Sequence, residues 1–398
     1  MLLQKQELSC RAKKRNIMQN LFPCQAPRRA AALLAAAALL AAAGLLFAPL
    51  AARAQTAATG YSITTFGTTP AGFTGPDSLA VSGGNVFIGY GDQGGKTGGG
   101  TSSVAEFSSA GALLNTFTLS GHNDGLKVDP STGLLWALQN EDGNPALSVI
   151  DTGTQSGNIQ NYLLPSANGG GIDDVVFQNG NIYLSASNAQ KDPNTDPAIV
   201  RATLANGAFT YQTILAGNAV ANGGTTPLNL TDADSLTTTP NGSLFLTDQT
   251  ANQVVTVSNQ GTPFQVVSAV GTSYNGASTP VDDTLFTAGQ TGTLLVSATG
   301  ANQVYAIHGP FDAAAYSAAN DAGIIGALDL TTGSLSAIAT GFGGPHGMAF
   351  LPDAPAAVPE ASTTVSFGLL LLLGLGGATL NVRKKKNMAC SPFAPIKP

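Results

Sequence analysis

The chain has 398 residues and a formal net charge of −6, but its charges are distributed unevenly. Between Gln55 and Ala357 there are 21 acidic residues and only four basic ones, a net charge of −17. Nucleic-acid binding requires the opposite sign, so we expect no nucleic-acid partner. All three cysteines lie outside this segment, at positions 10, 24 and 390. A disulfide framework, a Cys-ligated metal and a Cys nucleophile are therefore excluded within it.

The N-terminal segment has the pattern of a secretory signal. A basic region ends at Arg28-Arg29, an Ala/Leu-rich run covers residues 30–50, and Ala-Arg-Ala follows at 52–54. We therefore predict a signal peptide over residues 1–54, cut between Ala54 and Gln55, with Met18 as an alternative start. An uncleaved membrane helix is the alternative, because the apolar run is about as long as a spanning segment.

Residues 55–353 predict an all-β domain built from a repeat. Short alternating apolar segments are separated by Gly, Asn and Thr, with little helical periodicity. Five units each begin with an Asp-led strand, followed by a tight turn and a second strand. The five leading residues are Asp77, Asp124, Asp173, Asp234 and Asp283, at spacings of 47, 49, 61 and 49. A unit of this length with four strands is typical of a β-propeller blade.

The length of the repeat region predicts six blades, with five and seven left open and an array of β-sandwiches as the structural alternative. In the fifth unit we expect residues 283–285 to form a hairpin with residues 292–295. Residues 311–323 read as an Ala-rich insertion. A strand at residues 61–66 is expected to close the ring by pairing with the last blade, whose first strand begins at His346.

The leading residue of each unit would lie near one mouth of the central channel. A converging ring of carboxylates suits calcium, and the candidate ligands are Asp77, Asp124, Asp173, Asp234, Asp283 and His346. The alternative is structural, because Asp at the start of a strand accepts backbone N–H bonds and sets a turn. Recurrence in every unit favours this alternative. We predict no catalytic residues, and Glu141, in a polar turn, carries no mark of a ligand.

These units resemble the loose six-bladed propellers of the NHL-repeat and gluconolactonase-like group. The resemblance covers most of residues 60–353 and depends on the blade pattern rather than on a catalytic motif. In gluconolactonase-like proteins a divalent metal at the channel mouth polarises a lactone. The resemblance therefore implies, as an alternative function, a calcium-dependent lactonase-like hydrolase with its site at that mouth.

The C-terminus carries a second targeting pattern. The motif Val358-Pro359-Glu360-Ala361-Ser362 precedes an apolar run and a basic cluster at 383–386. This arrangement resembles the PEP-CTERM sorting signal of bacterial exported proteins, in which an exosortase-type protease removes the membrane helix. We expect a linker at 354–364, a transmembrane helix at 365–382 and a basic cytoplasmic tail at 383–398. A plain membrane anchor is the alternative.

These patterns predict an exported protein that is held in the inner membrane by its C-terminal helix and then reaches the cell surface or an extracellular matrix. Its expected role is a non-enzymatic binding or structural module. Calcium is the one cofactor that the acidic residues suggest. The expected partners are the exosortase-type protease, the inner membrane during sorting, and exopolysaccharide.

Overall fold

The computed structural model describes residues 54–153, 158–287 and 289–353. In these ranges the chain forms strands and loops, with one 3-10 turn at Thr299–Ala301. No helix in the same ranges is long and apolar enough to cross a membrane. The predicted signal peptide up to residue 53, the linker with the motif at 358–362, the transmembrane helix and the basic tail lie outside the described residues.

The described ranges contain 27 strands, most of them five to eight residues long. The first fourteen are β1 (Thr56–Ala57), β2 (Ser62–Thr65), β3 (Pro76–Ser82), β4 (Asn85–Tyr90), β5 (Thr101–Ser108), β6 (Leu113–Ser120), β7 (Asn123–Val128), β8 (Leu135–Gln139), β9 (Ala146–Asp151), β10 (Asn158–Leu163), β11 (Val175–Gln178), β12 (Asn181–Ser185), β13 (Pro197–Ala205) and β14 (Ala208–Ala216). The others are β15 (Ala233–Thr238), β16 (Leu244–Asp248), β17 (Gln253–Ser258), β18 (Val266–Gly271), β19 (Ser273–Tyr274), β20 (Ala277–Ser278), β21 (Thr284–Phe286), β22 (Gly292–Ala298), β23 (Gln303–His308), β24 (Ala315–Ala319), β25 (Ile324–Leu328), β26 (Ser334–Thr340) and β27 (Pro345–Pro352).

The first four repeat units fold as the sequence predicts. Strands β3–β6, β7–β10, β11–β14 and β15–β18 form four antiparallel sheets in which each strand pairs with the next. In the second unit Lys127 lies opposite Trp136, which fixes the predicted hairpin. Each sheet is therefore a four-stranded meander, the form of a propeller blade.

The fifth unit does not pair as predicted. Strand β21 pairs with β24, whereas β22 pairs with β23 and with β27. The expected hairpin between 283–285 and 292–295 is therefore wrong. The expected insertion at 311–323 is wrong as well, because it contains β24, whose five residues are all buried. Burial of both faces of this apolar strand outweighs pairing with the nearest segment in the chain.

Two interlocked sheets result from this exchange. One has four strands in the order β2-β23-β22-β27, and the other has seven, with β21, β24, β25 and β26 followed by β19 and β20, and with β1 also on β26. Five sheets are thus regular four-stranded blades, so the predicted number of six is corrected to five, a number that the sequence had left open, and the seven-stranded sheet lies among them in the ring. Strand β2 pairs with β23 of the last blade, as expected for the ring closure at residues 61–66.

The sheets surround a central channel. The innermost strands, in ring order, are β3, β7, β11, β15, β21 and β27, and each contacts the next, with β27 contacting β3. The prediction of an all-β propeller is therefore confirmed. Between sheets, aromatic residues of the second strands are buried, and Trp136 packs edge-on against Phe177 and Phe209 at 5.0 and 6.0 Å. Stacking supplies the core that a single blade lacks.

Candidate functional site

The innermost strands share an irregularity at one channel mouth. The strand register shifts by one residue between Pro76 and Leu79, and again between Asn123 and Leu126. Equivalent shifts occur at the starts of β15 and β27. A bulge re-aims side chains at the end of a sheet. Here both residues of each bulge, and the matching residues of the other inner strands, line a cavity of about 250 Å³.

The first bulge position supplies a titratable side chain from every inner strand. Its six members are Asp77, Asp124, Asp173, Asp234, Asp282 and His346. The sequence analysis named Asp283, whereas the structure places its neighbour Asp282 at this position. The amide of Asp282 donates to Ala318 O at 2.9 Å, as the amide of Asp173 donates to Ser185 O at 3.3 Å. This shared bonding makes Asp282 the fifth member of the ring.

The second bulge position connects each inner strand to the next. Asp174 accepts the amide of Leu236 at 3.0 Å, and Asp283 accepts the amide of Met348 at 2.7 Å. Ser235 Oγ donates to the other oxygen of Asp283 at 2.7 Å. Asp283 therefore has the structural role that the sequence left open as an alternative.

The remaining members of this position are one serine and two glycines, and each also lies against the following strand. Ser78 Oγ donates to the carbonyl of Asp124. A Cβ on Gly125 would lie 2.0 Å from Asp173 O, and one on Gly347 would lie 2.4 Å from Asp77 O. All six second positions thus lie against the following strand, which holds the ring of side chains around the cavity.

Three carboxylates converge on one side of the cavity. Oxygen atoms of Asp124, Glu141 and Asp173 all lie within 4.8 Å of one another. Glu141 comes from the loop after β8. Asp173 and Glu141 are 5% and 6% exposed. Asp173 Oδ1 has no hydrogen-bond partner among the described residues, whereas Glu141 Oε2 lies 3.4 Å from His122 Nδ1. We call these three residues the carboxylate cluster.

The electrostatics of the cluster are unbalanced. Burial and the neighbouring carboxylates raise the pKa of Asp124 and of Asp173 well above the ordinary value. Burial also raises the pKa of Glu141, but contacts with His122 and Asp124 and the charge of Lys96 outweigh it and bring that pKa to about 2. Lys96 Nζ is in direct contact with Glu141 Oε1. Burial and mutual repulsion thus favour the neutral forms of Asp124 and Asp173, and Glu141 carries the negative charge of the cluster.

On the opposite side of the cavity, the charges of two carboxylates are balanced by a histidine of the same ring. His346 Nδ1 lies 2.9 Å from Asp282 Oδ2 and 3.6 Å from Asp77 Oδ1. Burial lowers the pKa of His346, but Asp282 and Asp77 outweigh it and raise that pKa to about 10. Gln249 Nε2 donates to Asp282 at 2.9 Å and also contacts Asp234. His346 thus supplies the positive charge of this half of the ring, and the neutral amide of Gln249 supplies hydrogen bonds.

Lys127 supplies a second lysine charge to the cavity. Its Nζ lies 3.4 Å from Asp174 Oδ2. Burial lowers the pKa of Lys127, but the carboxylates of Asp174 and Asp283 outweigh it and raise that pKa above its usual value. Two of the three lysines between residues 55 and 357 therefore lie at this mouth.

The structure divides the six predicted ligands into groups. Asp124 and Asp173 belong to the carboxylate cluster. Asp77 and His346 are near each other on the far side, Asp234 is bonded to Gln249, and Asp283 is structural. The sequence prediction missed Glu141, Asp282 and Lys96. Comparing the Asp-Asp pair at 282–283 with the pair at 173–174 would have identified Asp282, whereas Glu141 and Lys96 lie on loops outside the repeat.

Comparisons with known proteins add likeness of fold only. No family model matches the chain, and no curated protein matches it. A streptogramin B lyase structure is 14% identical over 75% of this chain and 96% of its own, with a TM-score of 0.42. The periplasmic gluconolactonase of Pseudomonas aeruginosa is 12% identical over 73% and 99%, with a TM-score of 0.43. A putative 6-phosphogluconolactonase of Bacteroides fragilis is 14% identical over 75% and 86%, also at 0.43.

Proposed function

We propose that the chain is an exported, non-enzymatic binding propeller whose site is a calcium ion held by the carboxylate cluster. The observation that carries the proposal is the buried oxygen Asp173 Oδ1, which has no hydrogen-bond partner in the described part of the chain. A buried carboxylate oxygen without a partner is costly. Asp173, Glu141 and Asp124 would hold a cation between them, and its charge would remove this cost.

The residues fit calcium in donor type and spacing. Calcium takes oxygen ligands at about 2.3–2.6 Å, so two ligands on opposite sides of the ion are about 4.6–5.2 Å apart. The oxygens of Asp124, Glu141 and Asp173 fall within 4.8 Å of one another. When bound, the cation would supply positive charge beside the cavity. That charge would let an acidic domain bind anionic groups, such as those of an exopolysaccharide, which its own charge of −17 repels.

Thermal unfolding with calcium and with a chelator tests this proposal. Because the native state alone would bind the ion, calcium at about 100 times its Kd should stabilise the protein by about 2.7 kcal/mol. Asp173→Asn and Glu141→Gln should abolish this gain. Asp196→Asn is the matched control, because Asp196 pairs with Lys191 on the surface at 2.9 Å. A wild-type midpoint that does not move with calcium would refute the proposal.

A calcium-dependent lactonase is the second candidate. The observation that favours it is the cavity of about 250 Å³ beside the carboxylate cluster, which leaves room for a small polar substrate. A bound cation would supply Lewis-acid polarisation of a lactone carbonyl. With a pKa of about 10, His346 is protonated at neutral pH and is not a general base there.

An assay of aldonolactone hydrolysis, in which the released protons are measured, separates the two candidate functions. A lactonase gives calcium-dependent turnover that Glu141→Gln abolishes. A binding module gives the calcium-dependent stabilisation with hydrolysis no faster than in protein-free buffer.

We propose export and sorting from the terminal patterns. The acidic segment between two basic, apolar termini supports this, since charge of this size favours solubility outside the cell. In a bacterium with an exosortase, the full chain should appear at the surface or in the matrix, with its N-terminus at Gln55. A chain ending at residue 357 should be released from the membrane without sorting. Retention of the full chain in the cytoplasm would exclude the proposal.

A further inference from the structure

Lys96 reaches the carboxylate cluster from a neighbouring blade. It lies in the Gly-rich loop at residues 94–100, between β4 and β5, while Glu141 belongs to the next blade. Its Nζ contacts Glu141 Oε1, and the two side chains are 60% and 8% exposed. A largely solvated ammonium group is thus placed on a buried carboxylate.

The backbone around Lys96 is anchored, although its side chain is not. The carbonyl of Lys96 accepts the amide of Asp142 at 2.9 Å, and Asn144 Nδ2 donates to Thr97 O at 3.0 Å. Within the loop, the amide of Gly95 donates to Gly99 O at 2.9 Å. Lys96 can therefore leave Glu141 by rotating its four-carbon side chain into solvent, without moving the loop.

Lys96 occupies an acceptor that a divalent ion would use. The same Glu141 oxygen cannot be bonded fully to an ammonium group and to calcium, and the two positive charges would repel each other at contact distance. With Lys96 in place, Glu141 Oε2 lies 3.4 Å from His122 Nδ1, but Asp173 Oδ1 has no hydrogen-bond partner in the described ranges. One ammonium group therefore satisfies only part of the cluster.

We propose that Lys96 is an internal counter-ion that competes with the divalent cation and sets the affinity of the site. This inference rests on the proposed cation binding and adds its regulation. Calcium binding displaces the ammonium group of Lys96 into solvent. Without calcium, Lys96 limits the repulsion within the carboxylate cluster.

Calorimetric titration with calcium at pH 7 tests the inference on the wild type, Lys96→Met and Lys191→Met. Lys191 is the matched control, because it pairs with Asp196 and its side chain is 59% exposed. Removing the competitor should tighten calcium binding about 10-fold in Lys96→Met, with no change in Lys191→Met. Equal or weaker binding by Lys96→Met overturns the inference and leaves the cation site standing. No binding by any of the three proteins overturns both.

Two further readouts distinguish competition from a merely structural role. In chelator Lys96→Met should unfold at a lower temperature than the wild type, and in calcium at the same temperature or higher. A structural role lowers the midpoint in both. Acetylation of Lys96, measured by mass spectrometry, should increase on adding calcium while that of Lys191 stays constant. Unchanged labelling of Lys96 in a protein that binds calcium contradicts the displacement.

Discussion

His346 Nδ1 lies 2.9 Å from Asp282 Oδ2, and the two residues occupy the same bulge position on neighbouring inner strands. The one non-acidic member of the ring thus supplies the cation that lets two of the acidic members, Asp282 and Asp77, face the same cavity. The short distances from His346 to both carboxylates reduce the repulsion between Asp282 and Asp77.

Replacing His346 by Gln should destabilise the protein by about 2 to 3 kcal/mol at pH 7, because it leaves the buried Asp282 and the partly buried Asp77 without their cation. The raised pKa of about 10 makes this stabilisation complete below pH 6.5 and lost as the pH rises through 10. Urea unfolding at pH 6 to 10 measures both effects. His308→Gln, at an exposed site, is the control. A wild-type His346 resonance that titrates between pH 5 and 8 would contradict the assignment.

Asp283 should be important for stability rather than for binding. Asp283→Ala leaves the amide of Met348 and the hydroxyl of Ser235 without their acceptor. A buried unsatisfied donor is costly, so we expect a loss of about 2 to 4 kcal/mol in chemical unfolding. Asp321→Asn, on the exposed surface, should have little effect. Calcium affinity of the folded Asp283→Ala protein should match the wild type, and a large loss of affinity would restore Asp283 as a ligand.

The contact of Gly125 with the next strand makes a steric prediction. An alanine Cβ there would meet Asp173 O at 2.0 Å, so Gly125→Ala should destabilise by about 2 to 4 kcal/mol. In Gly271→Ala the nearest described atom is 3.9 Å away, and this control should be tolerated. Thermal melts of the two variants give the comparison. Equal midpoints for the two variants would show that the inner strands are packed less closely than the 2.0 Å contact at Gly125 requires.

Asp248 gives a pH dependence away from the carboxylate cluster. It is fully buried and accepts the amides of Ala251 at 2.8 Å and Asp232 at 3.3 Å, and burial raises its pKa from 3.8 to about 7. Because this pKa is raised, the contribution of Asp248 is present below pH 4 and is lost as the pH rises through 7. The free energy of unfolding of Asp248→Asn should therefore rise relative to that of the wild type, by on the order of 2 to 4 kcal/mol between pH 4 and 8.

Urea unfolding at pH 4, 6 and 8 measures this difference. Asp321→Asn should follow the wild type at every pH. A constant difference between Asp248→Asn and the wild type would mean that Asp248 is ionised throughout.

The sequence predicted most of the fold because local pairing determines it. In the first four units each strand pairs with its neighbour in the chain, so alternation and Gly turns suffice. The prediction for the fifth unit failed because β21 pairs with β24, about 30 residues later in the chain. The local pattern of β22 does not show whether it pairs with the strand before it or, as observed, with the distant β27. Only the competition among all buried strands decides this pairing.

The candidate site was predicted in part for a similar reason. The repeat position of Asp77 identified the ring, because the same bulge recurs. The shift from Asp283 to Asp282 reflects where the bulge begins, which two consecutive aspartates leave ambiguous. Glu141 and Lys96 meet only because loops of adjacent blades converge, and their sequence separation carries no signal of that contact.

The first strands of the described chain complete sheets made by its last ones. Strand β1 pairs with β26 and β2 pairs with β23, and Gln55 bonds Tyr305, 250 positions away in sequence. The ring therefore cannot close before nearly all of the described chain is available. Such long-range pairing slows folding. When the chain is synthesised or passes through a pore from its N-terminus, β1 and β2 have no partner strands until β23 and β26 follow. The last two sheets are therefore completed only when synthesis or translocation is nearly finished.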